Sequence, residues 1–274
     1  EGKRTPAQWL KFANSLRLRL AMRVSNVAPA LAEEQAKAAL DSKNGGVLET
    51  ANETVGQYGI RNPLGGVAGW SEVYMNASLE SYLKGYNDPR IKSYFNLAQD
   101  GRDKEGNIIK EVAGVKQLNS IEGEYKGVRQ GTGVADNRYS THSQTAITTG
   151  SKIIVMSAAE VWFLRAEAAL RNYTSENVEN CYKQGITVSF AQWDASGVSE
   201  YLESEETPAA YVDAFDKKFD ADAPTSITPK WDESAPLELK LERIITQKWL
   251  AIYPEGCEAW AEQRRTGYPR LIKV

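Results

Sequence analysis

The aromatic residues Tyr58, Trp70, Tyr74, Tyr125 and Tyr139 fall in one glycine-rich stretch, close in the chain to Arg61, Asn62, Asn137 and Arg138. Flat rings offer apolar faces on which the C–H face of a sugar can stack, while guanidinium and amide groups bond hydroxyls. That mixture suits capture of a polar, ring-bearing ligand rather than bond breaking. Tyr58 and Tyr139, in loops of glycine and polar residues, are the stronger stacking candidates, with Arg61 and Asn137 as hydrogen-bonding partners. Trp70 completes the candidate ligand site, although with Tyr74 four positions on it would also make a packing pair on one helix face.

Catalytic chemistry finds little support. The single histidine, His142, lies in a Ser/Thr-rich loop, and no CxxC, HExxH, GxSxG or Walker-type pattern occurs. Glycoside hydrolysis needs two carboxylates, but 36 acidic residues always supply some pair, so a pair says nothing. Asp100 to Asn107 (DGRDKEGN) departs from the calcium-loop order and reads as a polar turn. No enzyme, metal or cofactor is expected. A net charge of −3 gives no reason to expect nucleic acid. No apolar run approaches the ~20 residues that span a bilayer. Without an initiator Met or an apolar leader, the 274 residues read as a processed chain or a piece of a longer one. Cys181 and Cys257, both in expected helices, read as buried free thiols.

The elements that must hold a binding surface are helical. Pro6 to Val24, capped by Thr5, places Trp9, Phe12, Ala13, Leu16 and Leu20 on a stripe expected to face the core. Arg17, Arg19 and Arg23 lie off it, on a solvated or salt-bridged face. A partner helix spans about 30–40. Ser157 with Glu160 suggests a capping box for a helix through Arg171, followed by one over about 176–193 with Tyr182, Ile186, Phe190 and Trp193 on one stripe. Gly185 within it implies a close helix crossing. Pro236 to Tyr253 and Cys257 to Arg265 make a third hairpin, with Leu241, Ile245, Trp249 and Ile252 on one side. Trp9, Trp162, Trp193, Trp249 and Trp260 are assigned to the core. Helices are also expected over 71–83, after Asp88-Pro89, and after Thr207-Pro208. Residues 110–118 read as a short strand or an irregular crossing.

Each hairpin spans roughly 35 residues, near the tetratricopeptide period of 34. Such pairs bury a core by stacking on neighbours, so 1–43 and 151–274 should form one helical scaffold. The loop-rich insertion 44–150 should carry the ligand surface.

The wording of several segments is more specific than their periodicity. ANSLRLRLAMR, LKGYNDPRIKSYF with YKGVRQG, AEVWFLRAEAALR, YKQGITVSFAQW and ERIITQKWLAIYPEGCEAWAEQRRTGYPRL follow one another along the chain. In that order they resemble the SusD/RagB family, in particular the SusD-like lipoproteins of Bacteroidetes. The resemblance implies a mainly α fold of tetratricopeptide-like hairpins with a loop-rich insertion. It also implies a surface-exposed outer-membrane protein that binds a nutrient, usually a glycan, without catalysis and passes it to a SusC-like TonB-dependent transporter. Family members are longer, with a lipid-anchoring Cys and further N-terminal helices, so this sequence resembles their C-terminal half or somewhat more. Two alternatives remain: an interaction module packing on the transporter or on the missing half, and a site for a non-sugar nutrient such as a peptide.

Overall fold

The structure is a computed structural model that describes residues 4–70, 72–134 and 137–274. The chain forms two compact units: residues 1–58, 152–204 and 229–270, and residues 59–151, 205–228 and 271–274. Its elements are α1 (Pro6–Arg23), α2 (Pro29–Leu40), β1 (Val55–Gln57), α3 (Pro63–Ala68), α4 (Ala77–Gly85), α5 (Ile91–Tyr94), β2 (Glu111–Val112), β3 (Val115–Lys116), β4 (Ile153–Met156), α6 (Ala158–Leu170), α7 (Val178–Gln192), α8 (Val198–Leu202), α9 (Leu237–Ala251) and α10 (Gly256–Thr266).

The first unit is helical. Helix α6 is its centre, packed against α1, α7 and α9 and buried along nearly its whole length. The α7 stripe faces inward at Tyr182, Ile186 and Phe190. Gly185 explains how closely α7 approaches: a Cβ there would lie 2.7 Å from the Phe163 ring of α6. A two-stranded antiparallel pair, β1 with β4, leads into α6.

Helix α1 begins as its sequence predicts, with a Thr5–Gln8 capping box and Pro6 in the first turn. Its buried face is not the predicted one. Asn14, Ser15, Leu18, Ala21 and Met22 turn inward, whereas Trp9 and Leu20 are 55% and 58% exposed. Specific polar contacts orient the helix. Asn14 Nδ2 donates to the carbonyls of Asn44 (2.7 Å) and Gly46 (2.9 Å), and Ser15 Oγ accepts the Leu48 N–H (2.9 Å). These groups satisfy turns that would otherwise bury unpaired backbone, an outcome a hydrophobic stripe does not encode.

Charged side chains fasten the same unit. Arg19 bonds both oxygens of Glu160 (2.7 and 2.5 Å), and Arg23 reaches Glu258 (2.7 Å). Lys248, buried on α9, lies 2.9 Å from Glu258, 3.3 Å from Glu262 and 3.5 Å from Glu160. Arg265 bonds both oxygens of Glu167 at 2.6 Å and both of Glu262 at 2.7 and 3.1 Å. The chain-end arginine thus anchors α10 to α6. The Ser157–Glu160 motif is half a capping box: Ser157 accepts the Glu160 N–H, but the carboxylate is used by Arg19.

The second unit is mostly irregular. Helix α4 starts at Ala77, capped by Asn76, six residues later than the expected 71. Tyr74 lies before it, in an extended bridge to Gln144. Strands β2 and β3 form a small antiparallel hairpin within the ambiguous 110–118 stretch. Asp88 accepts the backbone N–H and guanidinium of Arg90, a buried ion pair just before α5. The helix expected directly after Thr207-Pro208 does not form; only a 3-10 turn at Lys217–Phe219 lies in that stretch. There Tyr211 pairs with Ala221 as an isolated extended bridge, and Tyr211, Asp213, Ala214 and Phe215 are buried. The segment stays irregular because these side chains find partners inside the unit, Asp213 accepting the N–H groups of Phe215 and Asp216.

Candidate functional site

The candidate ligand surface builds up from α3. Asn62 caps this helix: its Oδ1 accepts the Leu64 N–H (3.0 Å), its own N–H donates to Thr149 O (2.8 Å), and its Nδ2 donates to Ser151 O (3.3 Å). Pro63 occupies the first turn. Gly65 lets the helix lie directly on the chain at Thr148, where a Cβ would come within 2.2 Å of a backbone carbon. The six-residue helix, about 9 Å long at its usual rise, is therefore held over its first turn.

Two side chains flank this short platform. Arg61 precedes it and lies over Gly66, its Nη2 3.4 Å from the position a Cβ would take. Trp70 follows it, 68% exposed, its backbone N–H donating to Val67 O (3.0 Å). Among the described residues the Arg61 guanidinium has no hydrogen-bond or ion-pair partner. An open indole face and an unengaged guanidinium on one fixed turn can stack against a ring and bond its substituents. Trp70 and Tyr74 are therefore not a packing pair on a shared helix.

The other predicted residues fare differently. Tyr58, in the first unit, is 56% exposed, with Lys152 Nζ 5.2 Å from its ring centroid. Asn137 is exposed in the second unit. Tyr139 is not a surface ring at all. Only 7% exposed, it donates to Asp213 Oδ2 (3.2 Å) and packs edge-on to His142 and Phe215. Its burial removes it from any stacking surface in this structure. Glycine and polar neighbours in its loop hid the apolar contacts made with distant Phe215 and Ile121. The same cluster accounts for His142. Burial, with Lys126 adding to it, pushes its imidazole down to about 3, so it stays neutral.

The core assignments also need correction at Trp9 and Trp260, both exposed. Cys257 is exposed as well, against the expected burial. Cys181 is buried, and desolvation raises its thiol to about 11. Asp100, the first acid of the calcium-like turn, faces inward, accepting from Ile121 N (2.8 Å), Ser120 Oγ (2.7 Å) and Gln117 Nε2 (2.6 Å). No group of acidic, His or Cys side chains able to hold a metal occurs among the described residues.

Two clefts went unnoticed in the sequence. One, of about 900 Å³ in the first unit, is lined by Lys37, Asp41, Glu49, Arg165, Tyr173 and Glu176 among others. Another, of about 330 Å³ in the second unit, lies over Glu80, Lys84, Glu124 and Lys126. Each is assembled from segments remote in the chain, so no local motif marks it.

Comparison with known proteins places this geometry. No curated protein matches the chain. A SusD homologue from Bacteroides vulgatus is 44% identical, with a TM-score of 0.87, and covers 98% of this chain and 53% of its own. A homologue from Flavobacterium johnsoniae, described as chitin-binding, is 38% identical with a TM-score of 0.86 and the same coverage. A third, from Bacteroides thetaiotaomicron, is 32% identical with a TM-score of 0.83. The chain thus spans about half the length of these solved relatives. The family model for SusD and RagB outer membrane lipoproteins matches residues 3–274. On the family match and on these identities, the chain belongs to the SusD-like family of outer membrane lipoproteins, with its mainly α, tetratricopeptide-like fold.

Proposed function

We propose that this chain is part of a non-catalytic nutrient-binding protein that captures a glycan at the outer-membrane surface and passes it to a SusC-like TonB-dependent transporter. The observation that carries the reading is the exposed Trp70 on a turn fixed by Asn62 and Gly65, with the Arg61 guanidinium, which has no partner among the described residues, at the other end. An aromatic ring carried on a turn whose backbone is already fixed leaves less freedom to lose when a sugar ring stacks on it. Arg61 and Asn137, both in the second unit, supply hydrogen bonds to hydroxyls. The chitin-binding description of the Flavobacterium johnsoniae homologue supports a sugar as the ligand class.

Titration with chito-oligosaccharides and other glycans, read by quenching of tryptophan fluorescence, tests the proposal. Saturable binding is expected, with no new reducing ends on prolonged incubation. Trp70→Ala should weaken the affinity about tenfold or more, equivalent to ~1.4 kcal/mol. Binding that is unaffected by both Trp70→Ala and Arg61→Ala would place the ligand elsewhere.

A further inference from the structure

The platform that carries Trp70 holds a single charge. Residues 59–70, which form it, and residues 146–151, on which it rests, contain one charged side chain between them, Arg61. Its guanidinium has no hydrogen-bond or ion-pair partner among the described residues. Elsewhere in the second unit Arg90 pairs with Asp88 and Arg102 with Glu122. Arg129 donates to the carbonyls of Phe219, Asp220 and Lys273. Arg61 differs from these, yet it does not trail into solvent. Its Nη2 and Nε lie 3.4 and 3.5 Å from the point where a Cβ on Gly66 would stand, so the group rests on the helix with Nη1 turned away from it.

A guanidinium is a rigid fork of N–H donors that always carries its charge, and the oxygen pair of a carboxylate or sulfate matches it best. Hydroxyls accept its hydrogen bonds but leave the charge uncompensated. Gly66 and Trp70 are four residues apart, about 6 Å at helical rise, near the length of one pyranose residue. A sugar stacked on the indole therefore brings a substituent of its own ring, or of the adjoining one, to Nη1. The net charge of the chain is −3, so no general field draws acidic ligands and the attraction is local to Arg61.

We infer that the saccharide taken here is acidic, with the carboxylate of a uronic acid or a sulfate ester set on the Arg61 guanidinium while a ring of the same glycan stacks on Trp70. Arg61 is then the residue that separates acidic from neutral glycans, and Trp70 serves both. The inference rests on the glycan reading of this surface. An exposed ion pair contributes little, so the preference is modest: about fivefold, the upper end for such pairs.

Calorimetric titration of the protein with equal-length oligosaccharides of chitin (neutral), hyaluronan (carboxylate only) and keratan sulfate (sulfate only) tests it. At low salt one or both of the acidic glycans should bind about fivefold more tightly than chitin, and the arm that does so names the anion. The margin should close as salt rises to about 0.5 M. Arg61→Gln should remove the margin while weakening the chitin arm by no more than about twofold, since the amide still donates. Arg61→Lys should keep part of it, because the charge survives and the fork does not. Trp70→Ala should weaken all three arms alike. Equal affinities for the three, or a margin that persists in Arg61→Gln, overturns the inference and leaves the glycan reading standing. Absence of saccharide binding altogether removes both.

Discussion

The two units bury charge in different ways. In the first, Arg19, Lys248 and Arg265 link α1, α6, α9 and α10 through Glu160, Glu167, Glu258 and Glu262. In the second, the buried ion pairs among the described residues are local or single: Asp88 with Arg90, and Glu80 with Lys126. Its interior relies on rings whose hydroxyls are fixed, such as Tyr211 Oη, 3.0 Å from both Gly127 O and Asp213 Oδ2. A connected charge network needs several side chains held rigidly at once, which long helices provide. Loops can satisfy buried groups only a few at a time, and in doing so leave short turns such as α3 free to present side chains outward. The difference separates a unit built for rigidity from one able to carry a surface.

The largest test of that contrast is Lys248→Met. Removing the one ammonium shared by Glu160, Glu258 and Glu262 should cost about 3–5 kcal/mol, read by urea unfolding. A loss below 1 kcal/mol would mean that the arginines suffice and the network is redundant. Tyr211→Phe probes the second unit. Loss of its hydroxyl should cost about 1–3 kcal/mol, with hydrogen exchange rising at residues 127 and 213 before the helical unit responds.

Acid sharpens the comparison further. Burial alone would raise the Glu262 carboxyl, but Lys248 and Arg265 outweigh it and hold it down at about 2. Glu258 is likewise lowered, by Lys248 and Arg19 against its own desolvation. A carboxylate whose folded pKa is depressed contributes stability above its unfolded value, and that stability is lost as pH falls toward the folded value. The first unit should therefore weaken between about pH 4.5 and pH 2, more steeply than a Glu262→Gln variant. Identical acid profiles for the two would remove Glu262 from the account. The smallest expected effect on folding is that of Trp70→Ala. An exposed ring at this site should change stability by no more than about 0.5 kcal/mol while reducing glycan affinity. A large loss of stability would make Trp70 a packing residue after all.

Much of the helical framework was legible before any coordinates. Capping at Thr5, the Gly185 crossing and the inward stripe of α7 follow from local spacing, and the quoted segments pointed to the family. Of the rings the sequence offered for stacking, Trp70 and Tyr58 are exposed and Tyr139 lies inside, because its neighbours in space are remote in the chain.

What the sequence determined by itself was where helices start, stop and turn, since capping bonds and side-chain periodicity act over a few residues. Only the tertiary structure decided which face of α1 is buried, which tyrosine meets solvent and where Lys248 finds its carboxylates. Those outcomes depend on satisfying buried polar groups with partners far away in the chain, and no local pattern records such partners.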